Sequence, residues 1–215
     1  MKKIIFGLTL YGIASISSAQ IVYHAPSKKK AQVTTVPIVH QLIQQITKKL
    51  NSTLRIDGSS RSIVQIIIPP RTVEWHYSFT TRKDEAGEQQ LQLAAQLSSL
   101  LLKFTPGGQA FSGLPQVALQ TLKATSGSSP VNVYVLDEKN ANAFVAKQPF
   151  LHINEGFATD ATHGILNLGS WSAGTYYLGI ENRSSLKAVL VDLEAAAIKL
   201  EDKVPTAPPS TVVGN

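Results

Sequence analysis

The spacing of apolar residues changes period several times along the chain, and each change marks an element. Residues 35–50, TVPIVHQLIQQITKKL, set Ile38, Leu42, Ile43, Ile46 and Leu50 on one helical stripe. Thr35 suits a cap, Pro37 the first turn, and Lys48 and Lys49 the C-terminal dipole. This stretch predicts an amphipathic helix. Ile63 to Ile68 is β-branched and apolar, as a buried strand requires, and Pro69-Pro70 ends it. Val73, Trp75, Tyr77 and Phe79 then alternate with Glu74, His76 and Ser78, which predicts a half-buried strand with its aromatics inward. From Ala86 to Phe104 the period lengthens: Leu91, Ala94, Leu97, Leu101 and Phe104 recur at three and four. That is a helix, broken by TPGGQAFSG and followed by a shorter one over Leu114–Lys123. The two read as a helical hairpin inserted at about residues 85–125.

The β pattern returns afterwards. Val131 to Leu136 is nearly continuous apolar sequence and predicts a central strand. Short strands are expected around Leu151–Ile153 and Ile165–Leu168. Tyr176, Leu178 and Ile180 face one way, ENRSSLK turns, and Val189, Val191, Leu193 and Ala195 alternate with Leu190, Asp192 and Glu194. This last unit reads as a hairpin. Some seven short strands without β-α-β alternation predict an antiparallel β-sandwich, mainly β with α, over a single domain at 35–200.

Two segments carry a resemblance. IIIPPRTVEWHYSFTT is an apolar strand, a proline break and an aromatic strand around Trp75. AGTYYLGIENRSSLKAVLVDLEAAAI is a Gly-Thr-Tyr strand, an acidic-Asn turn with serines, a lysine and a final strand. Together they resemble GOLD-type β-sandwich domains, in which such a unit closes the sandwich. The Gly-Thr-Tyr-Tyr strand is also similar to the jelly-roll domains of secreted bacterial peptidases. The helical insertion and the helix before the first strand depart from both. The resemblance implies a non-catalytic domain that binds proteins or lipids through a sandwich face or edge, and it carries over no catalytic residue.

The ends set the expected compartment. Lys2 and Lys3, the apolar run Ile4–Ile16 and the small residues of SSAQ have the build of a secretory signal peptide, residues 1–19. The run is shorter than the ~20 apolar residues of a membrane span. A flexible lead-in at 20–34 and a disordered, proline-rich tail at 201–215 flank the domain. The expected location is periplasmic or secreted, in a bacterial envelope, and not transmembrane once the signal is removed. The chain has no cysteine. It therefore forms no disulfide, uses no thiolate nucleophile and builds no thiolate–zinc site. A hydrophobic fraction of 43% suffices for a core without such staples.

Formal charge is +6, and Lys2 and Lys3 leave with the signal. The basic run SKKK at Ser27–Lys30 reads as a solvated lead-in. Basic and aromatic residues are not interleaved along one face, so no nucleic-acid partner is expected.

Catalytic signatures are sparse. The Gly-x-Ser-x-Gly elbow is absent, PGGQAFSG lacks the lysine of a phosphate loop, and no carboxylate pair stands out for glycoside hydrolysis. The chain is expected not to be an enzyme and to use no cofactor. The sharpest alternative is a metal-dependent hydrolase: LHINEGFATDATHG brings His152, Glu155, Asp160 and His163 into one short segment, a donor set suited to a divalent ion. His76 and Trp171 are candidates for an exposed ligand face, Trp171 as a stacking platform for sugar. Glu181 is expected to bond local backbone in its turn. Asn51-Ser-Thr and Asn182-Arg-Ser match glycosylation sequons. The function expected is non-catalytic binding of a protein, lipid or glycan partner. Two further alternatives are a membrane-surface protein, through the 38–50 helix, and a structural subunit whose last hairpin offers an open edge.

Overall fold

The computed structural model describes residues 34–83, 90–105 and 111–203. The expected signal peptide and nearly all of the lead-in and tail lie outside the described residues. Eight strands form two antiparallel four-stranded sheets. The first has the order β1 (Thr34–Leu50), β8 (Val189–Lys203), β3 (Thr72–Arg82), β6 (His163–Asn167). The second has the order β2 (Arg61–Ile68), β7 (Gly174–Glu181), β4 (Val131–Leu136), β5 (Ile153–Ala161). All described residues belong to one compact unit.

The alternation read from the sequence decides which side chains meet. Trp75, Tyr77 and Phe79 of β3 and Val191, Leu193, Ala195 and Ala197 of β8 leave the first sheet on one face. They share a buried cluster with Val64, Ile66 and Ile68 of β2, Val131, Val133 and Val135 of β4, and Leu178 and Ile180 of β7. A sandwich-like core results, each large side chain contributing about 1.5–3 kcal/mol by leaving water. The Tyr77 hydroxyl donates to the Gly156 carbonyl at 2.5 Å. Burial pushes this phenol well above the ordinary tyrosine value.

The stretch expected as an amphipathic helix at 35–50 is a strand. β1 pairs with β8 along its whole length, and the register shifts between Gln41 and Ile43 and again between Ile43 and Ile46. Each irregularity resets the in–out alternation. Ile43 and Ile46, three apart, therefore both reach the same core. The bulges give a strand the spacing of a helix. The β-branched residues Thr34, Thr35, Val36, Ile38, Val39, Ile43, Ile46 and Thr47 were the opposing signal. Pro37 is tolerated because β1 is an edge strand.

The last unit is not a hairpin either. β7 lies between β2 and β4 in one sheet, and β8 between β1 and β3 in the other. The 182–188 connection crosses from sheet to sheet. Neither strand offers an open edge. β8 also runs on to Lys203, into what the sequence suggests is tail.

Among the described residues, two helices stand between β3 and β4, shorter than expected: α1 (Leu93–Phe104) and the single turn α2 (Gln116–Leu119). Leu93, Leu97, Leu100, Leu101, Leu114 and Ala118 cover Ala196 and Ile198 on the outer face of the first sheet. Glu194, also buried on β8, fastens the start of α1. Its carboxylate accepts the Leu93 amide at 2.9 Å and the Ala94 amide at 3.0 Å. Helix N-termini leave such donors unpaired, and a carboxylate also suits the positive end of the dipole. Glu74 likewise accepts the Leu114 amide at 3.0 Å. Glu194→Ala should therefore lower stability by about 1–3 kcal/mol, since two sheltered amides lose their acceptor. Chemical denaturation reads the loss; a change within experimental error would mean that α1 docks through its leucines alone.

A third helix, α3 (Glu138–Val145), escapes the sequence reading. Asp137 caps it by accepting the Asn140 amide. Ala141 and Phe144 pack on Leu136 against the outer face of the second sheet. The cap followed by Glu138 was the available signal, masked by the apolar strand before it.

Candidate functional site

The four residues of the expected metal set do not converge. His152 is half-buried and its ring lies against Tyr134 and Phe157, with centroids 5.3 and 5.0 Å away. Glu155 is exposed on β5. Asp160 adopts a left-handed backbone with φ 49, and its amide donates to Asn132 Oδ1 at 2.9 Å. His163 begins β6, with Nδ1 2.9 Å from Thr162 Oγ1. Among the described residues, no group of three His, Cys, Asp or Glu side chains is placed to hold a metal ion. The segment is extended and twisted, so neighbours in sequence point to different faces.

The expected exposed ligand face is not exposed at His76. That side chain is 0% exposed, under the helical insertion. Strand parity places it on the outer face, and α1 and α2 then cover that face. Nε2 lies 3.9 Å from Glu74 Oε1, beyond hydrogen-bond reach. Trp171 is half-buried and packs edge-on against Trp75 and Tyr176, at 5.4 and 4.9 Å. Glu181 does not bond its own turn. It pairs with Arg61 at 2.7 Å, and Arg61 also lies over the Phe144 ring at 4.9 Å.

A cluster of exposed cations lies elsewhere, at one end of the two sheets. A cleft of about 450 Å³ is lined by Lys83, Ser128, Ser129, Asp160, Arg183 and Lys187, with Pro130, Asn182 and Ser184 completing it. Lys83 follows β3, Ser128–Pro130 precede β4, and Asn182–Lys187 belong to the crossing between the sheets. Lys83, Arg183 and Lys187 are all exposed. Among the described residues that line it, three are cationic and one, Asp160, is a carboxylate. The walls are rigid for identifiable reasons. Asn182 is buried, and its amide donates to the Lys187 and Asn51 carbonyls at 2.7 and 3.1 Å while Oδ1 accepts the Ser184 amide. An asparagine that bonds its own loop in this way substitutes for a backbone turn. Its sequon is therefore spent on structure, because the nitrogen a glycan would use already holds the loop. On the opposite wall, Thr81 Oγ1 accepts the Ser128 and Ser129 amides and donates to the Thr162 carbonyl.

The cleft can bind and orient an anionic group by charge and hydroxyl donors. Its residues come from four separate parts of the chain, so no local motif announces it. ENRSSLK was visible as a turn and Asp160 as a candidate metal ligand, neither as part of a cleft. The chain matches no protein-family model and no curated protein.

Proposed function

We propose that the protein is an exported, non-catalytic binding protein of the bacterial envelope, periplasmic or secreted, and that it recognises an anionic group on its partner through the cleft of Lys83, Arg183 and Lys187. The observation that carries this reading is the convergence of these three cations, with Ser128 and Ser129, on one pre-shaped cavity. Cationic walls raise the local concentration of an anion and hold it with charge-assisted hydrogen bonds. The sandwich fold suits this role, since its ends carry loops on a rigid scaffold. The GOLD-like resemblance supports binding rather than catalysis, at the level of analogy.

Titration with inorganic phosphate, followed by amide shifts in a nuclear magnetic resonance spectrum, tests the reading. Shifts are expected at residues 83, 128, 129, 160 and 182–187, Pro130 having no amide proton. They should weaken as salt is added, because exposed cations are screened. Arg183→Gln with Lys187→Gln should abolish them. Shifts scattered over the surface, or unchanged in that variant, would overturn the cleft as the site.

A further inference from the structure

The cleft has a neighbour that its own chemistry does not explain. The 51–60 connection between β1 and β2 runs beside the 182–188 crossing. The Thr53 amide donates to the Ser184 carbonyl at 2.9 Å, and Asn182 Nδ2 reaches the Asn51 carbonyl. From these two joined loops Leu54, Ile56 and Leu186 project with 71%, 100% and 80% of their surface exposed. The loop that presents two of them is built. The Asn51 amide donates to the Ser59 carbonyl at 2.9 Å and the Asn51 side chain to the Asp57 carbonyl. Gly58 closes it at φ +87, where a Cβ would collide with the Asn51 side chain at 2.0 Å. The aliphatic tips are thus held out by a folded loop.

Single exposed leucines are ordinary on protein surfaces. Three large aliphatics on two hydrogen-bonded loops, beside a cationic cleft, form a pattern with two parts. Attachment to a membrane surface draws its strength from two sources, apolar insertion and electrostatic attraction to anionic headgroups. Both are present at this end. Among the described residues, the charged groups there are Arg55, Lys83, Arg183 and Lys187 with Asp57 and Asp160, and Asp57 is bound to Arg55 at 2.9 Å. A protein partner is the weaker fit. Protein hot spots favour Trp, Tyr and Arg and under-use Leu. Ile56, fully exposed, stands proud of its surroundings, which a fluid layer accepts without a matching pocket.

We propose that this end of the molecule docks on an anionic phospholipid membrane, with Leu54, Ile56 and Leu186 entering the interface and a headgroup phosphate seated among Lys83, Arg183 and Lys187. The proposal rests on the anion-binding reading of the cleft and names the bearer of the anion.

Co-sedimentation of the processed chain, as recovered after export, with two kinds of vesicle provides the test. One kind is phosphatidylcholine alone; the other adds phosphatidylglycerol. Binding is expected to the anionic vesicles and not to the neutral ones, and to fall with salt. Leu54→Ser/Ile56→Ser/Leu186→Ser should weaken it about tenfold or more, from lost apolar burial. Lys83→Gln/Arg183→Gln/Lys187→Gln should do the same through lost charge. All six positions are exposed, so both variants are expected to keep the wild-type circular dichroism spectrum. If phosphate shifts the cleft resonances but neither vesicle binds, the membrane proposal is overturned, the cleft reading stands, and the tips are left to a protein partner. If vesicles bind, yet the apolar variant binds equally, attraction is charge alone and the insertion is overturned. If binding survives the charge variant and phosphate shifts nothing, both the cleft reading and the headgroup seat are overturned.

Discussion

Arg82→Leu is expected to destabilise the protein by about 3–5 kcal/mol, the largest effect of any charge substitution proposed here. Its partner Asp192 sits mid-sheet on β8 with a fully buried side chain. Arg82 Nε donates to Oδ2 at 2.8 Å, Nη2 to Oδ1 at 3.3 Å, and Thr47 Oγ1 also donates to Oδ1. The carboxylate therefore ties β8 to both of its neighbours, β3 and β1. Without the guanidinium it keeps its desolvation cost and loses its main compensation. The pair as a whole need not be strongly favourable, because desolvation offsets much of the attraction. Arg82→Leu with Asp192→Leu should accordingly be more stable than Arg82→Leu alone. Urea denaturation of the two variants and the parent measures this. A single-variant loss below about 1 kcal/mol would mean that the pair behaves as a solvated surface bridge.

Phe79→Ala should cost about as much, 3–5 kcal/mol, by a different route. Phe79 is fully buried and stacks on Tyr77 with centroids 6.2 Å apart. It pairs across the sheet with Leu193 on one side and Gly164 on the other. Gly164 is small for a reason: a Cβ there would come within 3.1 Å of the Phe79 ring. Truncation leaves a cavity that the neighbours cannot readily fill. Tyr77 is tethered through its hydroxyl to Gly156. The cost of a core truncation depends on how far the site collapses. A loss under about 1.5 kcal/mol by calorimetry would show that Tyr77 moves into the space, and its tether would then count for little.

The two predictions draw on opposite faces of the same strand, and those faces were unequally legible. Period two in Val73–Phe79 announced both the strand and its inward aromatics. It also placed His76 and Glu74 on the other face, but that face read as solvent. The helices that cover it come from residues 93–119, and packing between distant segments leaves no mark on local alternation. β1 failed for a related reason. Its apolar spacing matches a helix because two bulges interrupt the strand, and bulges arise from pairing with β8 rather than from β1 alone. α3 was missed because a capped helix of eight residues is short beside the apolar strand that leads into it.

The candidate site was hardly legible. His152, Glu155, Asp160 and His163 are close in sequence, yet an extended chain turns them to different surroundings. Asp160 alone of the four reaches the cleft, as a counter-charge to the cations. Lys83, Ser128 and Arg183 are far apart in sequence, and each reads there as an ordinary polar loop residue.

By itself the sequence determined what short-range physics controls. It shows the mainly β class through alternation, the inward set of β3, β7 and β8, the apolar central strand β4, the absence of thiol chemistry, and the positions of the main turns. Tertiary structure alone decided what depends on long-range pairing. It made residues 34–50 a strand, sent β7 and β8 to different sheets, buried His76, and gathered three cations at one end. Alternation reports which side of a strand is apolar. It cannot report which strand lies alongside or what is laid over the polar side, because those contacts join residues that share no local pattern.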